Sequence, residues 1–410
     1  MSYTKTILIL LLISFFGFLV VNWSNPIRIE GDGVFYYSWL RSAVFDADFN
    51  FLNELERFSA YDVGSQVMLA SDLRTPLGKI PNPYAYGTAV LWAPLYLLAH
   101  LVTWLLQLTV NGYSYLYVWF VNLASWLFGS VAFLLLYINL KKFFSDTVSF
   151  WSSLGIYLAT PWVYYQFFEP SMSHMASLLM VSIFLHLVIK IHQKKYVNSL
   201  FFMAVVFLMI ATRWQNMLFG VAYLPILWSY RDNIKQLVKS VLMSLVPVVL
   251  FWLTQAMIWQ HLYGRYLLIP QGSHFVRSKF HVFYILFSSN RGLLLWSPII
   301  IIAVLGAYYL WRKSKFLFFI FISAFVMQWL LNGSINDLGG GDAYGSRRFI
   351  ETLPFLVLAL AAFWDKIRLK TLMPILTIVL IVLNIILVDR YRKGVVPHHG
   401  EFDISDVLGI

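Results

Sequence analysis

The feature that most constrains this chain is a stretch of about 20 apolar residues that keeps recurring, the length a helix needs to cross a bilayer's hydrocarbon core. Such stretches read over residues 6–22, 115–140, 147–164, 172–191, 198–212, 214–230, 237–260, 292–311, 316–331, 349–364 and 371–388, with a further one at 86–108. The two that meet at Arg213 are short for crossings, a mismatch that tilt or local packing can absorb. With 60% hydrophobic and only 12% charged residues among 410, the chain has more apolar side chain than one water-soluble core can hide. The expected fold is therefore an all-α polytopic transmembrane bundle of about 11 crossings, a single domain over 1–410. The first stretch is read as a retained helix, because no small-residue cleavage pattern follows it at Asn22-Trp23-Ser24-Asn25-Pro26.

Orientation follows from the short basic loops. If 86–108 does not cross, Lys5, Lys141-Lys142, Lys190 to Lys195, Arg231 to Lys239, Arg312 to Lys315 and Lys366 to Lys370 all fall on one side, which the rule makes cytoplasmic. That makes 23–114 a long first extracytoplasmic loop, with 86–108 an interfacial or re-entrant helix inside it, and 389–410 a short extracytoplasmic tail. The cytoplasmic side then holds 15 of the 30 basic residues but only Asp146, Asp232 and Asp365 among the 19 acids. The net charge of +11 is thus a topology signal, and nucleic acid is not an expected partner. Twelve of the cytoplasmic bases are lysine, whereas 12 of the outer 15 are arginine. Arginine's planar fork suits phosphate, although single outer arginines commonly snorkel to lipid headgroups. The localisation expected is a plasma (inner) membrane with the N-terminus in the cytoplasm. With no cysteine, thiolate metal sites and disulfides are excluded.

The segment richest in chemistry follows the first helix: Glu30-Gly31-Asp32-Gly33, running into Tyr36-Tyr37. Two flanking glycines let the backbone turn sharply and bring a ligand close to Asp32, although turn statistics alone also favour such a segment. A carboxylate at the outer interface beneath aromatics can serve as a general base. Asp46-Ala47-Asp48 has the Asp-x-Asp spacing of some metal sites. Alternate residues diverge on a strand or a helix, so a shared ion requires a loop there, and a divalent metal is left open. Arg347 and Arg348 follow the glycine-rich loop Gly339-Gly340-Gly341-Asp342-Ala343-Tyr344-Gly345, and Arg213, Arg277 and Arg291 are further outer cations. His174 stands at an outer helix start, where it can cap or bind.

In order along the chain, these motifs resemble the polytopic GT-C glycosyltransferases, which include the protein O-mannosyltransferases and the lipid A aminoarabinose transferases (glycosyltransferase family 39-like). The matching pieces are the Glu-Gly-Asp-Gly loop after one helix; Asn82-Pro83-Tyr84-Ala85-Tyr86-Gly87 leading to Trp92-Ala93-Pro94-Leu95; Pro161 to Tyr165 with Glu169-Pro170-Ser171-Met172-Ser173-His174; Arg291-Gly292-Leu293-Leu294 with Trp296-Ser297-Pro298; and Gly345-Ser346-Arg347-Arg348 with Leu353-Pro354. They span nearly the whole chain, but each is short. The resemblance implies transfer of a sugar from a polyprenyl-phosphate carrier to a lipid, glycan or protein hydroxyl on the extracytoplasmic face, usually with inversion.

Carried over, the base falls on Asp32 and the second acid on Glu169. Arg347, Arg348 and Arg291 would meet the donor phosphate. Glu30, Tyr36, Tyr37, His174 and Tyr344 would line the substrate site. The family's paired acids are split here by Gly31, which leaves the role of Glu30 open. Beyond a possible divalent ion at Asp46 and Asp48, no cofactor is expected. The competing readings are a flippase or transporter of lipid-linked sugars and a polysaccharide polymerase or ligase. A transporter would place charges at mid-membrane and often carry inverted repeats, neither of which is visible here.

Overall fold

A computed structural model describes residues 3–24, 28–270 and 280–403. Among these the chain is helical throughout, with no strand. In order the helices are α1 (Tyr3–Ser24), α2 (Asp32–Arg41), α3 (Leu52–Phe58), α4 (Val63–Ala70), α5 (Gly87–Leu105), α6 (Tyr115–Leu140), α7 (Asp146–Leu158), α8 (Trp162–Phe167), α9 (His174–His192), α10 (Ser199–Thr212), α11 (Leu224–Ser229), α12 (Ile234–Tyr263), α13 (Tyr284–Phe287), α14 (Leu293–Trp296), α15 (Ile299–Lys313), α16 (Lys315–Ser334), α17 (Leu353–Lys366) and α18 (Leu372–Arg392). Seven of them, α1, α5, α6, α9, α12, α16 and α18, are long and apolar enough to cross a membrane.

The apolar side chains of the outer helices fix the solvent. On α1, Leu8, Leu12, Ile13, Phe16 and Val20 are exposed, and on α12 so are Leu242, Leu245, Val249, Leu253 and Met257. A helix that is apolar on its outward face, over a patch this long, is stable only against hydrocarbon. The chain is a multi-pass membrane protein. α9 is the central helix, buried along most of its length.

Four further helices are short: α7 has 13 residues, α10 has 14, α15 has 15 and α17 has 14. At about 1.5 Å per residue they rise about 20–22 Å, less than the hydrocarbon core. Each is continued at one end by a short or irregular element: α8 after α7, a 3-10 segment Trp214–Tyr223 after α10, α14 before α15, and a 3-10 segment Arg347–Thr352 before α17. α10 stops because the chain turns extended at Arg213 (φ −154°, ψ 122°). The carbonyl of Met209, orphaned by that stop, accepts from Asn216 Nδ2 at 2.9 Å and from the Thr212 hydroxyl at 2.8 Å.

Charge is sorted to two ends. Lys142 lies within electrostatic reach of Lys190 and Lys195, and Lys313 pairs with Asp365 at 3.0 Å and lies 4.4 Å over the Phe144 ring. α9 carries Lys190 at that end and His174 at the other. Near its start α1 meets α7 (Tyr3 and Phe150 rings 4.9 Å apart), and near its finish it meets the first half of α6 (Phe18–Trp119 at 6.3 Å, Phe15–Trp126 at 5.0 Å). α1 and α6 therefore run antiparallel, and the end of α1 and the start of α6 lie away from the lysines.

Within 86–108 the chain forms one continuous helix, α5, rather than a dip and return. It lies antiparallel to the first half of α6, with Trp92 donating to the Ser125 hydroxyl at 3.1 Å and the Tyr96 and Tyr117 rings 4.9 Å apart. Its first turn abuts the last turn of α10. A Cβ on Gly87 would stand 2.3 Å from the carbonyl carbon of Ala211, so only glycine fits.

Candidate active site

The polar residues gather at the ends of the short helices, opposite the lysine loops. Asp32 is the first residue of α2, where a carboxylate is favoured by the helix dipole. Gly31 before it has φ +56° and donates its N–H to Asp62 Oδ1 at 2.8 Å. Gly33 after it lies so close to the 169–173 loop that a Cβ would come 2.5 Å from the Ser171 hydroxyl. Both glycines flanking Asp32 are thus required, one by its dihedral and the other by close approach.

Asp32 Oδ1 accepts from the Tyr84 hydroxyl at 2.7 Å, and Oδ2 pairs with Arg347 Nη1 at 3.0 Å. About a quarter of the Asp32 side chain remains open (28%), so a substrate group can reach it. Burial acts to raise its pKa. Arg347 first, then the Tyr84 hydrogen bond, then Arg213 and His174 outweigh burial and hold the carboxyl below its ordinary range.

Beside this pair, His174 Nδ1 lies 3.1 Å from Glu351 Oε1 and 2.8 Å from Arg213 Nη1, and Arg213 Nη1 is 3.3 Å from Glu351 Oε1. Glu351 is fully buried. Two guanidinium groups therefore face two carboxylates in one cluster. Tyr36 belongs to it: its hydroxyl accepts from the Ser173 hydroxyl at 3.0 Å, its ring lies 5.0 Å from that of Tyr84, and burial pushes its phenol up to about 12.

Glu169 accepts from the Tyr164 hydroxyl at 2.9 Å through Oε1, while its buried Oε2 has no protein partner. Burial, outweighing the Tyr164 hydrogen bond and the Arg347 charge, lifts its pKa to about 7. One carboxylate is thus held below its ordinary range and another lifted toward neutrality, both within the field of Arg347.

Several residues expected at the site lie elsewhere. Tyr37 is one residue from Tyr36 and so turned 100° from it on the helix. Its hydroxyl donates to the Gly112 carbonyl inside the α5–α6 core. Glu30 is exposed and faces Arg28 and Asp62, not Arg347 or Arg213. Tyr344 is fully buried, stacked on Tyr164 at 4.7 Å, with its hydroxyl donating to Asn384 Oδ1 at 2.8 Å.

Arg291, left-handed at φ +65°, has all five N–H donors engaged by the protein. Nε donates to the Ala343 carbonyl at 2.7 Å, Nη1 to Asn290 Oδ1 at 2.6 Å and the Gly400 carbonyl at 3.4 Å, and Nη2 to the carbonyls of Pro397 and His398. It clamps the tail to the glycine-rich loop and has no donor left for a phosphate. Arg348 is held by the carbonyl and carboxylate of Asp337, the latter at 2.8 Å. Asp46 turns to Arg41 and Asn53, whereas Asp48 turns to Ser42. These two acids do not share a focus, and among the described residues no group of three acids or histidines is placed to hold a metal. Arg277 lies outside the described residues.

Tyr84 and Glu351 are the partners that sequence reasoning underweighted. Tyr84 reads as one of several interfacial tyrosines. Glu351 is marked only by being an acid at the head of an apolar run, four residues beyond Arg347, in a chain where intramembrane acids are costly. No known protein family matches this sequence, and no curated protein does.

Proposed function

We propose that this protein is a membrane glycosyltransferase of the GT-C type, taking a sugar from a polyprenyl-phosphate donor and passing it to a hydroxyl acceptor on the extracytoplasmic face. The observation that carries the reading is the environment of Asp32. It is an accessible carboxylate set by Tyr84 and Arg347 within a two-arginine cluster, at the end of the bundle away from the lysine loops.

In the reaction the acceptor oxygen attacks the anomeric carbon, the bond to the phosphate oxygen breaks, and polyprenyl phosphate leaves with the electron pair. The acceptor proton passes to Asp32. Arg347 and Arg213 offset the charge growing on the leaving phosphate. As Arg347 turns toward that charge it loosens its hold on Asp32, whose basicity then rises when a base is needed. Glu169, whose buried Oε2 has no protein partner, is the second acid of the site. A single base and an anionic leaving group favour direct displacement, and a product of retained anomeric configuration would contradict that.

The topology that fits this reading has about 11 crossings: α1, α6, α7 with α8, α9, α10, the 214–223 segment with α11, α12, α15, α16, α17 and α18. α5 lies along the outer side of the bundle. Parity supports this arrangement. The end of α1 and the start of α6 lie at the same end, so one helix between them cannot complete a crossing. The membrane is the plasma (inner) membrane, with the lysine loops cytoplasmic.

The test is release of polyprenyl phosphate from a panel of polyprenyl-phosphate sugars by the purified, folded protein. Release from one of them supports the donor class. No release from any, with a lipid-linked sugar instead equilibrated across proteoliposomes, would replace transfer with transport.

A further inference from the structure

Glu351 is fully buried, one of its oxygens has no protein partner, and no step proposed above touches it. A buried carboxylate costs several kcal/mol of desolvation and is stable only against the partners that compensate its charge. Those partners show what it holds. Glu351 Oε1 is the fixed point of a triangle, 3.3 Å from Arg213 Nη1 and 3.1 Å from His174 Nδ1, with Arg213 and His174 themselves 2.8 Å apart. His174 is 2% exposed and Glu351 1% by side chain, whereas Arg213 keeps 16% open. The arginine is therefore the member of the triangle that keeps an open edge for a ligand. Its charge reaches Asp32 and Tyr36.

Arg347 and Glu351 stand four apart on one 3-10 segment. At about three residues per turn, such positions point about 120° apart. One sends its guanidinium to Asp32, and the other sends its carboxylate to Arg213. A single short segment thus sets both arginines of the cluster, one directly and one through an acid.

We propose that Glu351 is a positioning residue that aims the Arg213 guanidinium at the phosphate of a polyprenyl-phosphate ligand, with His174 as the third corner that fixes its height. This rests on the glycosyltransferase reading for the identity of the ligand. Without the Glu351 carboxylate, Arg213 is free to collapse onto the other nearby carboxylate, Asp32, and its charge is withdrawn from the phosphate.

The experiment is a binding cycle on the full chain in detergent. A long-chain polyprenyl phosphate is the probe and the matching uncharged polyprenol the control. Arg213→Ala and Glu351→Gln are each expected to weaken phosphate binding about tenfold, and the double variant to be no weaker than Arg213→Ala alone, the signature of two groups acting as one. Polyprenol binding stays as in the native chain in all three.

A Glu351→Gln chain with native phosphate affinity, a loss that falls equally on polyprenol, or single losses that multiply in the double variant each overturn the inference and leave the transferase reading standing. A native chain that binds phosphate and alcohol alike overturns both. Should Glu351→Gln not fold, the same cycle with Glu351→Asp and Arg213→Lys decides the matter, non-additive losses supporting the inference and multiplying losses refuting it.

Discussion

Replacing Arg347 with glutamine should move the acid limb of the pH–rate profile upward, because Asp32 loses the charge that holds its pKa down. At 3.0 Å and an effective dielectric constant of 20, the gross attraction is about 5 kcal/mol. Desolvation of the pair takes back much of it, leaving about 1–3 kcal/mol for a charge-assisted contact. That corresponds to about 1–2 pKa units. The native carboxyl lies below its ordinary range, so native kcat/KM should be flat through the mildly acidic region. In Arg347→Gln it should begin to fall about 1–2 units higher. The amplitude also drops, since Arg347 serves the leaving phosphate, but the position of the limb does not depend on amplitude.

The same linkage predicts a stability change. A depressed carboxyl pKa contributes stability that is present above its unfolded value and lost as pH falls through the folded value. Arg347→Gln removes that contribution at neutral pH, so its melting temperature should fall below native there and converge with it in strong acid. Kinetics of polyprenyl phosphate release and thermal melts in detergent read the two effects. An unmoved acid limb would refute Arg347 as the group that sets Asp32.

Glu169→Gln should flatten a different window. The folded pKa of Glu169 is about 7, above the unfolded value, so the native chain should lose melting temperature as pH rises from about 4.5 to about 7, and the variant should not. An equal slope in both refutes the assignment. Arg291→Ala should cost about 1–3 kcal/mol by leaving the buried Ala343 carbonyl without its donor and freeing the tail carbonyls. It should also expose 397–400 to protease early, and tail protection at the native level would show that the clamp holds nothing. Because the chain has no cysteine, Ser71→Cys and Lys195→Cys report orientation cleanly. A membrane-impermeant thiol reagent on intact cells should label the first and not the second, and the reverse pattern would invert the topology.

The membrane class was legible from the apolar runs alone, because hydrocarbon length and backbone satisfaction leave helices as the form for such segments. The lysine loops foretold one charged end, and the structure brings 142, 190 and 195 together. Asp32 was legible through its glycines, since a positive φ and a missing Cβ are demands a sequence records. What a sequence does not record is side-chain aim. Tyr36 and Tyr37 look alike on the chain, but 100° of helical rotation puts one beside Tyr84 and the other in a core. Arg291 and Arg347 both stand near glycine, yet one spends every donor on carbonyls and the other meets Asp32. Glu351 was hidden because its partners lie 138 and 177 residues away.

The central claim is that Asp32 is the base of a transfer from a polyprenyl-phosphate sugar. Polyprenyl phosphate release by the native chain and by Asp32→Asn, side by side on the donor the native chain accepts, tests it most directly. Asparagine keeps the size and the contact with Tyr84, so the variant should fold and bind donor while release drops by at least about 100-fold, the span of general base catalysis. Equal release by the two proteins would contradict the account and take the base away from Asp32.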